Sequence, residues 1–288
     1  MTIAAPAVSA ETIYWVAQDL PPHFSFVNGH APRSVAELAH GEVDGFLRVL
    51  LPRMPEFEHE FIEASTARYE ALSRSGQTLC SALHVRTPAR TGWLYFSHLF
   101  PSLLAREIHV IVRRDSLPRI AQGRPADARI TLAELLRRRD LTLLLARDRA
   151  YGPQIDKALA GISVPRLAVG AQPVSQVLDM LRAGRMDFTL DYPAIVNDYL
   201  KRVDDPGALV ALPIAEGRTT LLAMVSCSRT PDGRRYIEAI DAAVRALARD
   251  ADRASWVREW RADRADPADM RRLNAYMDDR ARGGPRVE

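Results

Sequence analysis

Acid–base catalysis needs an acid and a base held together. The side chains able to serve, His23, His84, Glu107 and Asp191, are widely separated, with no spacing that couples them. The seven histidines are scattered, and none makes the HxxxH or HExxH pair that would set two imidazoles on one helix face for a metal. No GxSxG, P-loop or GxGxxG string is present, and AVGAQP is only a tight turn from strand to helix. The two cysteines, Cys80 and Cys227, stand far apart in sequence. No standard catalytic signature is therefore carried, and no metal or cofactor is expected.

The elements that would position such side chains follow a strand–helix rhythm. TIYWVA is β-branched and aromatic, and the prolines of QDLPPH end it. Val43, Phe46, Leu47, Leu50 and Leu51 mark one buried helix face that stops near Pro52 and Pro55. FEHEFIEA reads as a second strand, Thr66 to Ser75 as a short helix ended by Gly76, and QTLCSALHV as a third strand. REIHVIVRRD is an extended segment that crosses to a second lobe. There Thr131 and Glu134 have capping-box spacing, followed by LTLLLA, GPQIDKALAG, PRLAVG, PVSQVLDMLRAG and MDFTL as alternating strands and helices. LVALPI and TTLLAMVSC are extended, the second returning the chain to the first lobe. From Pro231 the pattern is helical, with Ile237, Ile240, Val244 and Leu247 as its stripe and Trp256 and Trp260 as anchors. The expected fold is α/β, with two lobes, each a mainly parallel sheet flanked by helices, and two hinge crossings near Arg106–His109 and Arg218–Leu221. The expected division is a leader at 1–10, lobe I at 11–108 with 220–288, and lobe II at 109–219.

Composition narrows the function classes. Hydrophobic residues make up 47% and charged residues 26%, and no run approaches the roughly 20 apolar residues of a membrane span. The formal net charge is +3, yet Lys157 and Lys201 are the only lysines, and the arginines of the C-terminal third alternate with aspartates. That is genome bias rather than a nucleic-acid footprint, so no nucleic-acid partner is expected. MTIAAPAVSA ends in Val8-Ser9-Ala10, a small-residue pattern suited to a signal peptidase. The expectation is an exported, periplasmic protein whose signal peptide is truncated here, with a flexible cytoplasmic leader as the alternative.

Two stretches resemble the type II periplasmic solute-binding proteins, in the amino-acid-binding branch known as family 3. ALHVRTPARTGWLYFS matches that family's T-x-x-R turn and following Phe-Ser at Thr87, Arg90, Phe96 and Ser97. LRAGRMDFTLDYP matches its Gly-Arg-x-Asp strand and cleft acid at Gly184, Arg185, Asp187 and Asp191. QDLPPH, RDRAYGPQID and CSRTPDGRR look closer to an uncharacterised subgroup of the same fold, and the resemblance spans roughly residues 11 to 262.

The resemblance implies that Arg90 clamps a ligand carboxylate, a task suited to a planar guanidinium fork. It implies that Asp191 faces an amino or other cationic or hydroxylated ligand group, with capping of the helix at Pro193 as its alternative role. Tyr151 would stand at a helix N-terminus that favours an anionic ligand group. In open α/β sheets ligands collect at the carboxyl ends of strands, and the loops leaving four of them hold Asp19, Arg90, Tyr151 and Asp191. Thr87, His23 and His84 complete the expected ligand-binding set. In this architecture Cys80 and Cys227 would also be neighbours, as a disulfide or as two buried thiols.

Departures from the family tell against an ordinary α-amino acid. His23 stands where an aromatic is usual, and Leu83, His84, Val85 and Arg86 stand where hydroxyl residues are usual. Asp191 also lies one residue closer to its strand Asp. The implied function is reversible binding of a small, carboxylate-bearing, anionic or zwitterionic molecule between the lobes. Its partners would be the membrane subunits of an ABC transporter or a sensor, and the chain is expected to be a monomer. The alternatives are a dehydratase- or lyase-like enzyme on this fold, or a ligand-sensing input module.

Overall fold

The computed structural model describes residues 10–103, 107–125, 128–167, 173–218, 222–261 and 266–288. Its first sheet is built from β1 (Glu11–Ala17), β2 (Phe57–Glu63), β3 (Cys80–Ser81), β4 (Leu94–Pro101) and β10 (Leu222–Ser228), in the order β2-β1-β3-β10-β4. The second is built from β5 (Glu107–Arg113), β8 (Phe188–Asp191) and β9 (Leu209–Arg218), in the order β8-β5-β9, beside a short pair of β6 (Leu145–Ala146) and β7 (Arg166–Leu167). Each sheet has its own apolar core, so the chain folds as two lobes.

Pairing differs from the expected mainly parallel pattern. Only β1 with β2 and β3, and β6 with β7, run parallel, whereas β10 and β5 run antiparallel to both their neighbours. The reason is the crossings: β5 carries the chain into lobe II and β9 brings it out, so the two must run opposite ways. Glu107 at the start of β5 pairs with Arg218 at the end of β9, setting the two crossing points side by side. Arg106 and residues 219–221 of the expected crossings lie outside the described residues. A Cβ at Gly217 would lie 2.2 Å from the Ile108 carbonyl oxygen, so this close approach of β9 to β5 requires glycine.

Two of the expected strands are shorter than their apolar runs. QTLCSALHV contributes only Cys80–Ser81, and LTLLLA only Leu145–Ala146 with an isolated bridge from Leu143 to Phe188. Leu79, Cys80, Ala82, Leu143 and Leu145 are all buried, and a short buried run looks like a strand whether or not its backbone pairs. The sequence after Ser81 leaves the sheet and becomes a wall of the interlobe cleft.

Period-two alternation is clear in β5. Ile108, Val110 and Val112 enter one lobe II core while Ile111 enters the other. In lobe I the helix Asp44–Leu50 buries Phe46, Leu47 and Leu50 against the sheet. The stripe Ile237, Ile240, Val244 and Leu247 of the helix Pro231–Arg249 closes the same core. Trp260 packs on Phe46 and Phe100 with ring centroids 5.0 and 4.6 Å apart, and its indole N–H donates to the Glu42 carbonyl at 2.9 Å. This contact anchors the segment before the helix, which reaches the cleft.

Cys80 and Cys227 are opposite one another in the antiparallel β3–β10 pair, their Cα atoms 4.0 Å apart and their sulfurs joined. The bond closes a separation of 147 residues that contains all of lobe II. In the chain-entropy picture such a closure contributes on the order of 4 kcal/mol. The double variant Cys80→Ser, Cys227→Ser should lose roughly that much in urea denaturation. Thiol titration of the oxidised, denatured wild type should find no free cysteine.

Candidate ligand-binding site

Between the lobes lies a cavity of about 200 Å³. That is below the roughly 300–1,000 Å³ of sites for drug-sized ligands, so its occupant is small. Lobe I contributes Gln18, His23, Glu42, His84 and Arg90 to the wall, and lobe II contributes Asp148, Arg149 and Tyr192.

Arg90 sits on a single helical turn, Pro88–Thr91, that begins with proline and is capped by Thr87, whose hydroxyl accepts from the Arg90 N–H at 3.3 Å. Thr87 thus positions Arg90 without lining the cavity itself. The half-buried guanidinium donates to the Val85 carbonyl in its own lobe and to the Asp148 carbonyl across the cleft, both at 2.8 Å. Asp148 presents that carbonyl from a left-handed backbone conformation, φ 63°, which Asp tolerates better than most residues. Among the described residues no carboxylate comes within 4 Å of Arg90, although burial works against its charge.

His84 lies close to Arg90 and packs on Tyr69 at 4.8 Å between ring centroids. Burial first, and Arg90 second, bring its pKa down to about 3. Its Nδ1 lies 3.0 Å from the Ser81 hydroxyl, which itself donates to the Val16 carbonyl at 3.2 Å. The Ser81 hydroxyl thus stands between the imidazole and the Val16 carbonyl, and the buried His84 Nε2 makes no hydrogen bond to the described residues.

His23 belongs to the loop after β1. That loop is held by Val43 N–H donating to the His23 carbonyl at 2.8 Å and by Asp19, which accepts from Phe26 N–H at 3.0 Å. Asp19 closes the loop from outside the cavity wall, while its neighbours Gln18 and Leu20 line it. His23 Nδ1 lies 2.7 Å from the buried carboxylate of Glu42, its Nε2 has no partner among the described residues, and its ring meets Tyr192 of lobe II edge-on at 6.4 Å. Glu42 also accepts from Leu103 N–H and from Ser102.

In lobe II, Asp191 ends β8 and is buried, and both its oxygens accept from Arg149 at 2.7 and 2.9 Å. One of them also accepts from Tyr192 N–H at 2.8 Å. Burial discourages the Arg149 charge, but Asp191 more than offsets this and holds its pKa above the ordinary arginine value. Its guanidinium lies over the rings of Tyr151 and Tyr192 at 5.1 and 5.9 Å.

Tyr151 itself is in the lobe II core rather than on the cavity wall. Its hydroxyl accepts from Ala146 N–H at 3.2 Å, and burial pushes its pKa up to about 12. The helix behind it, Pro153–Leu159, has only seven residues, and Asp156 already accepts from the Tyr151 and Gly152 N–H groups. Those donors are turned inward.

The structure thus brings Arg90, His84 and His23 to one cavity, places Asp191 behind Arg149, and sets Thr87, Asp19 and Tyr151 outside the wall. Glu107 pairs with Arg129 at 2.8 Å, away from the cavity. Sequence reasoning missed Gln18, Glu42, Arg149 and Tyr192. Gln18 and Arg149 lie one and two residues from positions singled out, whereas Glu42 gives no local signal because its pairing with His23 is tertiary. Among the described residues no cluster of His, Cys, Asp or Glu could hold a metal.

A two-lobed α/β protein with a ligand-sized cavity at its waist is the architecture of a solute-binding protein. Comparison of folds agrees: the chain has the type II periplasmic-binding-protein fold. It superposes on a Streptococcus pneumoniae ABC uptake transporter substrate-binding protein with bound histidine, at TM-score 0.61 and 14% identity, over 89% of this chain and 94% of that one. A mutant of ArgBP from T. maritima gives 0.58 and 14%, over 88% and 96%. A histidine kinase sensor domain gives 0.60 and 14%, over 87% and 95%. No family model and no curated protein matches the chain.

The His84 geometry has a consequence for acid stability. Above about pH 6.5 the ring is neutral whether the chain is folded or not. Below it the unfolded chain takes up a proton that the folded ring refuses, so stability falls as pH drops from 6.5 towards 3. Urea denaturation across that range should show a smaller pH dependence in His84→Gln than in wild type.

Proposed function

We propose that this protein reversibly binds a small anionic or zwitterionic molecule in the interlobe cleft, for transport or sensing, and performs no covalent chemistry on it. The observation that carries this reading is Arg90, a half-buried cation with no carboxylate partner among the described residues, on the wall of a small cavity and bonded to carbonyls of both lobes. A ligand carboxylate there would satisfy the remaining guanidinium N–H groups and would add contacts that exist only when the lobes are together. Arg90, His84 and His23 are the proposed ligand contacts. Thr87 and Asp19 hold their loops, Asp191 acts through Arg149, and Tyr151 supports the lobe II wall.

Lobe I is read as 11–108 with 220–288 and lobe II as 109–219, in a monomer exported to the periplasm. Of the similar structures, one is an ABC uptake transporter substrate-binding protein, one an ArgBP and one a histidine kinase sensor domain, which supports a transporter's membrane subunits or a sensor as partner by analogy of fold.

The rival reading as an enzyme has one acid–base couple in the cleft, His23 with Glu42. Among the described residues no second catalytic group is within hydrogen-bond reach of His23 Nε2. Incubation of the bound molecule with the protein should therefore return it unchanged by mass spectrometry, and a product would overturn the binding reading.

The affinity test is calorimetric titration with the small molecule that copurifies, identified by mass spectrometry. Arg90→Ala should weaken binding by roughly 2–5 kcal/mol, because the ligand's charge would be enclosed without its partner. Arg90→Lys should restore only part of it, having charge without the planar fork. Unchanged affinity in Arg90→Ala would remove Arg90 from the site.

A further inference from the structure

Given that the cleft is a reversible binding site, the reading on which this rests, we infer that it selects a small monocarboxylate with an apolar body over the α-amino acid of the same skeleton. Arg90 takes the carboxylate, and apolar side chains of both lobes take the body. The polar groups of the wall are largely engaged with one another, and the surface left over is apolar.

A ligand ammonium needs a desolvated carboxylate to replace its water, and a second ligand carboxylate needs a second cation that is not already neutralised. Glu42 accepts from Leu103 N–H and Ser102 through one oxygen and faces His23 Nδ1 through the other. Asp191 has both oxygens on the Arg149 guanidinium, so the two charges cancel. Arg147 and Asp148 are both exposed, and water screens them. His23 and His84 are engaged through Nδ1, by Glu42 and by Ser81, and the Nε2 of each is buried, so neither ring offers that atom to a ligand. Gln18 donates to the Ala64 carbonyl and to Thr66, while Ser65 caps its own helix by accepting from Arg68 N–H. What Gln18 has left is an uncharged carbonyl oxygen, which neutralises no ammonium. Arg90 differs from all of these. Its partners among the described residues are two carbonyls, so its charge is intact.

The remaining wall is hydrocarbon. Leu20 and Val43 of lobe I, Tyr192 and Ile195 of lobe II, and Leu222 and Met224 of β10 line the same cavity. Leu20 and Tyr192 come from opposite lobes, and both pack on the lobe II core that holds Ile195, so an apolar contact already crosses the cleft. Met224 reaches the cavity from the returning strand and packs on a lobe I cluster behind it. An ammonium or a second carboxylate placed against these side chains would give up its water and gain no partner, which is the kind of loss that makes recognition selective. A hydrocarbon body gives up nothing polar, and each enclosed methylene adds its own transfer free energy. The cavity of about 200 Å³ limits how large that body can be.

The test is calorimetric titration with sodium propionate, butyrate, isovalerate and 4-methylvalerate. L-Alanine, L-valine and L-leucine are the amino acids on the propionate, isovalerate and 4-methylvalerate skeletons, and succinate is butyrate with a second carboxylate. Affinity along the monocarboxylates should rise roughly fourfold per enclosed methylene until the cavity is full. Each should bind more tightly than its amino or dicarboxylate counterpart by roughly tenfold or more, the cost of one unpaired polar group. The variant Met224→Gln, similar in length but polar, should weaken isovalerate more than propionate. Leu20→Asn, in the loop after β1, gives the same comparison at a second position where Met224→Gln does not fold. A loss that ignores the size of the apolar body in the folded variants would overturn the inference. Equal or tighter binding of the amino acids or of succinate would overturn it, as would failure of every monocarboxylate to bind. The binding reading is judged separately by the copurified molecule: an amino acid or dicarboxylate found there, and returned unchanged, sinks this inference and leaves that reading intact.

Discussion

A guanidinium withdrawn from water must find acceptors, and the acceptors that Arg90 finds belong to two different lobes. That requirement organises the cleft. The Val85 carbonyl is available because the chain leaves the sheet after Ser81, and the Asp148 carbonyl is available because the loop after β6 turns through a left-handed residue. The Thr87 cap and Pro88 fix the single turn that carries the arginine, so its side chain starts from a defined place. Neither carbonyl neutralises the charge, and the site keeps its capacity for an anion.

The crossing strands decide whether those two carbonyls can meet. β5 and β9 run side by side where the chain passes between lobes, with glycine at the closest approach, and β10 returns into the middle of the first sheet rather than to its edge. There it is bonded to β3 through Cys80 and Cys227, one residue before the point at which β3 gives way to the cleft wall. The wall bearing His84 and Arg90 is thus tied to the strand that comes directly from lobe II. Behind it, Trp260 and the C-terminal helices hold the Glu42 segment, so the His23 loop rests on the lobe I core.

The charge of Asp191 is spent within the second lobe. Arg149 and Asp191 satisfy each other in a bidentate pair between two tyrosine rings, and Asp156 takes the amides that begin the next helix. Lobe II therefore brings the cavity a neutralised pair beside the exposed Arg147 and Asp148, whereas lobe I brings the half-buried Arg90.

Much of the fold was legible in the order of residues. The apolar stripe of residues 237–247, the capping box at Thr131 and Glu134, the proline stop after β1 and the period-two run of β5 are local signals, and local hydrogen bonding and burial act on them directly. The T-x-x-R turn likewise marked Arg90 because its cap lies three residues away. What the order of residues could not decide was the pairing of groups distant along the chain. His23 with Glu42, Arg149 with Asp191, and the true length of β3 depend on which surfaces the two lobes bring face to face. A side chain's chemistry follows from its type, but whether its charge or lone pair is free follows from its neighbours in space, and only the tertiary structure supplies those.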